Sequence, residues 1–131
     1  MIRLTFLLRR PSDMSLKTFQ DYRRNRHGPM VASYSALLKI RKYVQVQTIE
    51  DPLNEEFRNS RGTAKPYDGV EEVWWDSRED VLAALRSSEG QEALRILIED
   101  EKKFIDLKRS PLWFGYEVPQ INPVPENIVA T

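Results

Sequence analysis

Four runs of alternating apolar residues constrain the fold of this 131-residue chain more than any other feature. The runs are Ile2 to Leu8, Leu37 to Ile49, Val70 to Trp75 and Leu112 to Val118. A period of two in segments rich in β-branched and aromatic residues is typical of strands. The sequence therefore predicts four β-strands.

Helix start signals lie between these strands. Ser15 precedes apolar residues at three- and four-residue spacing, and Ser77 and Ser88 begin two more such segments with capping-box spacing. We expect the first helix to end at His27, just before Gly28-Pro29. The polar stretch from residue 51 to 66 predicts a loop.

The order of these elements predicts an α+β fold, a ferredoxin-like βαββαβ unit with a four-stranded antiparallel sheet. We assign residues 1–118 to this domain and residues 119–131, which contain three prolines, to an extended C-terminal tail. The strands carry apolar residues on both faces, so the face without helices needs a cover. A second copy of the chain is the simplest cover for this face. The sequence therefore predicts a homodimer built as a dimeric α/β barrel.

The composition excludes several chemistries and partners. With one histidine and no cysteine, the chain has no disulfide, no thiol nucleophile and no multi-His or thiolate metal site. Twenty basic residues balance 20 acidic ones, which argues against nucleic acid and anionic membrane as partners. No apolar run approaches the roughly 20 residues of a membrane span. We expect a cytoplasmic protein.

His27 is the first candidate for acid–base chemistry, because histidine is the side chain that ordinarily titrates nearest neutrality. Arg23 and Arg26 precede it within about one turn and are candidates for binding an anionic substrate group. A histidine at a helix end also interacts favourably with the helix dipole, and exposed arginines are common on solvated faces. Both interpretations remain open at the level of sequence.

Asp68 and Glu72 are the candidate acidic partners of His27. Glu71 and Glu72 point to opposite faces of the third strand, and the inward one requires a partner or its neutral form. The sequence does not decide which one points inward, and Asp68 also suits the Asp-Gly turn that it begins. The aromatic candidates for lining a substrate pocket, which core packing explains equally well, include Tyr22, Tyr43, Tyr67 and Trp74.

Several short motifs in order resemble the EthD family. They are Arg10-Pro11, Phe19 to Tyr22, His27 to Pro29, Tyr67 to Val70, Glu72, Trp74, Asp76-Ser77, Glu79-Asp80, Asp100-Glu101 and Phe104 to Asp106. The resemblance implies the dimeric α/β barrel and cofactor-independent chemistry on aromatic polyketides, with His27 as the motif histidine and with Asp68, Glu72 and Trp74 along the cavity. The family often has Trp where this chain has Arg23, which suggests a polar or anionic group on the substrate.

Three functions agree with these residues. The first is a lyase without cofactor, a dehydratase or decarboxylase, in which His27 removes a proton next to the carbonyl of an aromatic polyketide-like or phenolic ketone. The second is a cofactor-independent monooxygenase acting on an anthrone or quinol, which begins with the same deprotonation. The third is a dimeric accessory protein that binds such a ligand without catalysis.

Overall fold

The computed structural model describes residues 1–121. Its four strands are β1 (Ile2–Leu8), β2 (Lys42–Gln47), β3 (Gly69–Trp75) and β4 (Leu112–Gly115). They form one sheet in the order β2-β3-β1-β4, and every neighbouring pair is antiparallel. This architecture confirms the predicted fold class. The tail prediction for residues 119–131 falls largely on residues 122–131, outside the described part of the chain.

Five helices connect the strands. They are α1 (Leu16–Tyr22), α2 (Gly28–Ser33), α3 (Pro52–Arg61), α4 (Arg78–Arg86) and α5 (Ser88–Glu101), and a short 3₁₀ turn spans Leu107–Arg109. The hydroxyls of Ser15 and Ser77 accept the predicted capping hydrogen bonds from Thr18 and Asp80. Before α5 the cap is Ser87, one residue earlier than predicted.

The predicted loop at residues 51–66 contains α3, so that prediction was wrong. Asp51 caps the helix, Pro52 occupies its first turn and Gly62 ends it in the left-handed conformation with φ of 62°. None of its residues is buried, and its apolar residues Leu53 and Phe57, four positions apart on one side of the helix, are 54% and 61% exposed. The second strand is also shorter than predicted, because residues 35–39 form turns before it.

A π-helical turn at Arg23–His27 joins α1 to α2, so the first helix does not end at His27. The amide of Gly28 donates to the carbonyl of Arg23, five residues back. Phe19, Arg23, His27 and Val31 are all buried along this segment. A spacing of four overshoots the 3.6 residues of an α-helical turn, so the wider π-turn keeps these four side chains facing the sheet.

The core lies between the helices and one face of the sheet. One cluster joins Phe6 and Leu8 of β1 to Phe19 and Phe104, and a second joins Val31 to Ala93 and Leu97 of α5. A third joins β3 to α4 and contains Val73, Trp75 and Val81. The opposite face of the sheet carries no helix among residues 1–121, and we call it the open face.

Candidate functional site

His27 lies inside the layer between helices and sheet and has no exposed surface. Its Nδ1 is 2.8 Å from Oδ2 of Asp100, which the last turn of α5 places there. The other ring nitrogen, Nε2, is buried and makes no hydrogen bond. Buried polar atoms without a partner are rare, and the other such side-chain atom within residues 1–121 is Nε of Arg23. The π-turn and α5 thus present a single imidazole with one nitrogen free.

Asp100 fixes the proton of His27. Burial favours the neutral carboxyl, but hydrogen bonds from Tyr22 and His27 and the charge of Lys103 outweigh it and hold the pKa of Asp100 below its ordinary value. An ionised carboxylate only accepts hydrogen bonds, so Nδ1 of His27 must carry the hydrogen. In a neutral imidazole, Nε2 is then the nitrogen with the free lone pair.

Tyr22 holds Asp100 from the other side. Its hydroxyl donates to Oδ1 of Asp100 at 2.6 Å. Burial and the neighbouring Asp100 raise the pKa of Tyr22 to about 12, so this hydroxyl keeps its proton. The ring of Phe104 packs against both rings, with centroid distances of 5.0 Å to His27 and 5.1 Å to Tyr22. These contacts lock the imidazole in one orientation.

Arg23 is fully buried but points at backbone rather than at a site for an anion. Its guanidinium donates to the carbonyls of Val46, at 2.8 Å, and Val70, which belong to β2 and β3. Burial lowers the pKa of Arg23, although Glu71 and Tyr43 oppose this effect. The residue ties the π-turn to two strands. A role in binding substrate therefore has no support from its contacts.

Two glycines create the room for this arrangement. A Cβ on Gly69 would lie 2.5 Å from Nη1 of Arg23 and 2.9 Å from the carbonyl oxygen of Val46. A Cβ on Gly28 would lie 2.8 Å from Nε2 of Gln45, which donates to the Arg23 carbonyl. Glycine at both positions lets the helix approach the sheet closely.

A second polar group lies on the sheet beside Arg23. Tyr43 donates to Oε1 of Glu71 at 3.2 Å, and Gln45 donates to the Tyr43 hydroxyl at 2.9 Å. Glu71 is 7% exposed and belongs to the strand face that packs against the helices. Burial, followed by the charge of Glu71, raises the pKa of Tyr43. Glu71 is therefore the inward carboxylate of the pair that the sequence left open.

The structure separates Asp68 and Tyr67 from His27. Asp68 accepts hydrogen bonds from the backbone amide and the guanidinium of Arg10 and forms an ion pair with it. Tyr67 lies under the guanidinium of Arg9, 3.9 Å from the ring centroid. Both residues line an open cleft of about 600 Å³ beside α3. Asp68 thus anchors the start of β3. Asp100, rather than Asp68, is the carboxylate that bonds to the imidazole of His27.

Glu72 and Trp74 lie on the open face, away from the helices. Glu72 pairs with Arg3, with 3.1 Å between Oε2 and Nη1. Trp74 donates to the carboxylate of Glu117, and the ammonium of Lys42 lies 4.6 Å from its ring centroid. The predicted contact of Glu72 with the imidazole is therefore absent, since adjacent strand residues point to opposite faces.

Of the nine predicted site residues, His27 and Tyr22 share the Asp100 carboxylate, and Arg23 and Tyr43 are joined through Gln45. Arg26 is exposed, but its charge acts on Tyr22. Sequence reasoning missed Asp100 as a site residue. The signal was present, because Asp100 follows Leu97 by three residues and continues the buried stripe of α5.

The interior site is closed. His27 lines none of the five best-defined clefts on the surface of residues 1–121. Within residues 1–121, no three His, Cys, Asp or Glu side chains come together as metal ligands do. In the same range, no helix has the length and apolar character needed to cross a membrane.

The fold has solved relatives. An EthD family protein from Bacillus halodurans is 24% identical, with a TM-score of 0.60 over 90% of this chain and 99% of that chain. A dimeric protein of unknown function from Bacteroides fragilis is 12% identical (TM-score 0.55; 89% and 95% covered). A protein from Deinococcus radiodurans, whose description suggests an antibiotic biosynthesis monooxygenase, is 10% identical (TM-score 0.53; 95% and 100% covered). At these identities the likeness establishes the fold.

The search of curated proteins gave no match. The family model of the EthD domain matches residues 11–108, about three quarters of the chain, and spans His27, Asp100 and Glu71. This chain therefore belongs to the EthD family.

Proposed function

We propose that this chain is a cofactor-independent lyase, a dehydratase or decarboxylase acting on an aromatic ketone. One observation carries the proposal: His27 is bonded to the ionised Asp100 through Nδ1, while its Nε2 is buried and free. A carboxylate on one imidazole nitrogen raises the basicity of the other and stabilises the imidazolium that forms. His27 is then a general base.

In the proposed reaction, Nε2 of His27 removes a proton from the carbon next to the substrate carbonyl. The electron pair of the C–H bond moves into an enolate, and a hydroxyl on the following carbon departs. Asp100 stabilises the imidazolium, and Tyr22 holds Asp100 in place without losing its own proton. Decarboxylation passes through a similar enolate. Neither route requires a cofactor.

Aromatic side chains around His27 favour a flat substrate. Phe104 packs on the imidazole, and Tyr22 packs on Phe104. Stacking and edge contacts with such rings suit an aromatic ketone. Since His27 has no exposed surface, substrate entry requires these side chains to move apart.

Solvent deuterium exchange tests the base directly. In D₂O, the wild-type protein should exchange the α-hydrogens of an aromatic β-hydroxy ketone, as followed by mass spectrometry. His27→Gln should slow exchange by about 10²–10⁴-fold, the usual contribution of a positioned base. Ser110→Ala is the control, because Ser110 is a buried polar residue with hydrogen bonds to Arg9 and Asp106 and lies outside the site. Equal exchange by wild type and His27→Gln would refute the proposal.

A cofactor-independent monooxygenase is the second candidate, supported by the description of the Deinococcus radiodurans neighbour. It starts with the same deprotonation, after which the carbanion reacts with O₂. Oxygen consumption with anthrone distinguishes the two functions. Oxygen uptake equal in amount to the product formed favours the oxygenase, and product formed without oxygen uptake favours the lyase.

A non-catalytic ligand-binding protein gives a third result. It would bind the ketone without exchange or product, and His27→Gln would leave the affinity unchanged. Calorimetry on both proteins, combined with the exchange assay, separates this function from the other two.

We infer that a second copy covers the open face and makes the homodimer. Apolar side chains cluster there, with Val46 43% and Trp113 50% exposed. The dimeric relative from Bacteroides fragilis has the same fold. Sedimentation velocity should show a dimer that Val46→Asp dissociates. Leu85→Asp, on an equally exposed position of α4 across the molecule, should leave the dimer intact.

A further inference from the structure

A cleft opens between α4 and the edge strand β4, on the helix side of the sheet. β4 ends the strand order β2-β3-β1-β4, whereas α4 packs on β3 in the cluster that contains Val81 and Trp75. A space of about 360 Å³ remains between this helix and the edge strand. Neither His27 nor Asp100 belongs to its lining, so the cleft is separate from the interior site.

The lining of this cleft is largely apolar. Leu85 follows Leu82 by three residues and Val81 by four, so the three side chains share one side of α4. Phe114 and Tyr116 line the sheet side of the cleft, and Leu85 and Phe114 are 45% and 49% exposed. Pockets for small molecules are concave, mostly apolar and about 300–1,000 Å³ in volume. The cleft therefore has the size and the lining for a compact apolar ligand.

Arg78 is the one charged residue that lines the cleft within residues 1–121. It begins α4 and precedes Val81 by three residues, which places both side chains on the same side of the helix. In the same part of the chain, Arg78 takes part in no ion pair. Its acidic neighbours Glu79 and Asp80 do not line the cleft, and Asp80 pairs with Lys39. The cleft thus presents one unpaired positive charge beside apolar surface.

We propose that the cleft binds a small apolar monocarboxylate. The apolar body of the ligand packs between α4 and β4, where it removes the exposed side chains of Leu85 and Phe114 from water. The carboxylate accepts hydrogen bonds from the Arg78 guanidinium, whose fork of N–H groups matches two carboxylate oxygens. One cation balances one negative charge, whereas a phosphate monoester carries about −1.5 to −2 at pH 7. This site does not depend on the proposed lyase function.

Calorimetry with 2-naphthoate on the 131-residue chain tests the charged end of the site. We expect saturable binding, and Arg78→Gln should weaken it by about tenfold or more, because a hydrogen bond between charged groups is lost. Arg86→Gln is the matched control: it makes the same exchange in the last turn of α4, outside the cleft, and should leave the affinity unchanged. Absence of saturable binding, or equal affinity of these two variants for 2-naphthoate, would overturn the proposal.

Leu85→Asp tests the apolar wall and the other possible occupant of the cleft. The new carboxylate lies in the cleft and repels the ligand, so 2-naphthoate binding should fall by about tenfold or more while the dimer persists in sedimentation velocity. Unchanged binding would overturn the proposal. Dissociation of the dimer by Leu85→Asp would assign the cleft to a second copy and would also overturn it. The ratio of octanoate to 2-naphthoate affinity then identifies an alkyl chain or a ring as the apolar body.

Discussion

Glu71 and Glu72 are neighbours in the chain and meet opposite environments. Glu71 is 7% exposed, points at the helices and relies on the Tyr43 hydroxyl. Glu72 points to the open face and pairs with Arg3. A carboxylate paired on a sheet surface is ordinary, whereas a buried one without a cation is expensive to maintain. The contrast supports placing the proposed chemistry on the helix side of the sheet.

The helix side of the sheet and the open face differ in the same way over their whole area. The interior layer contains His27, Asp100, Glu71 and Arg23, all buried. Its hydrogen bonds join residues far apart in the chain, such as His27 and Asp100. The open face combines exposed apolar side chains with simple ion pairs, which suits contact with another protein surface. The following predictions test this division.

The largest effect is expected at Asp100. Asp100→Asn allows Nδ1 of His27 to lose its fixed hydrogen, so exchange should fall by about 10²–10⁴-fold. Because the substitution also removes a buried charge that accepts two hydrogen bonds, the free energy of unfolding should drop by about 3 kcal/mol. Exchange assays and urea denaturation measure both.

Glu72→Gln is the comparison for Asp100→Asn. Loss of a partly exposed ion pair should cost about 1 kcal/mol or less and leave the exchange rate within a few-fold of wild type. If Glu72→Gln impaired exchange as much as Asp100→Asn, the division between the two faces would be wrong.

A smaller effect is expected where the helix approaches the sheet. Gly69→Ala forces a methyl group against the Arg23 guanidinium and the Val46 carbonyl, so we expect a loss of about 1–3 kcal/mol in stability. Gly115→Ala, on β4, has no atom within 4 Å of the new methyl group and should change stability little. Thermal or chemical denaturation of the two variants gives the comparison, and equal stabilities would contradict this packing.

A further effect is a slope in the dependence of stability on pH. Glu101 has a raised pKa when folded, so the folded state binds more protons than the unfolded state between its ordinary pKa and about 8. Its contribution to stability is therefore present at low pH and is lost as pH rises through this window. Glu101→Gln should flatten the decline of the melting temperature from pH 5 to pH 8. An unchanged slope would show that folding does not raise the pKa of Glu101.

Local patterns predicted much of the fold. Alternation located all four strands, and the hydroxyls of Ser15 and Ser77 cap helices as expected. The missed helix α3 has no buried residue, and two signals for it were overlooked: the spacing of Leu53 and Phe57, and the end markers Asp51, Pro52 and Gly62. The π-turn was missed because Gly28-Pro29 usually ends a helix, whereas here Pro29 lies in the first turn of α2.

The sequence by itself determined the strand pattern, the absence of thiol chemistry and His27 as the one imidazole available. The tertiary structure decided which carboxylates meet it. Asp68 and Glu72 had suitable positions in the chain, yet Asp100, 73 residues from His27, makes the contact. The physical reason is that the alternation of side chains in a strand and the period of a helix fix locally which face each side chain occupies. Which helix face contacts which part of the sheet is decided only when the helices pack on the sheet.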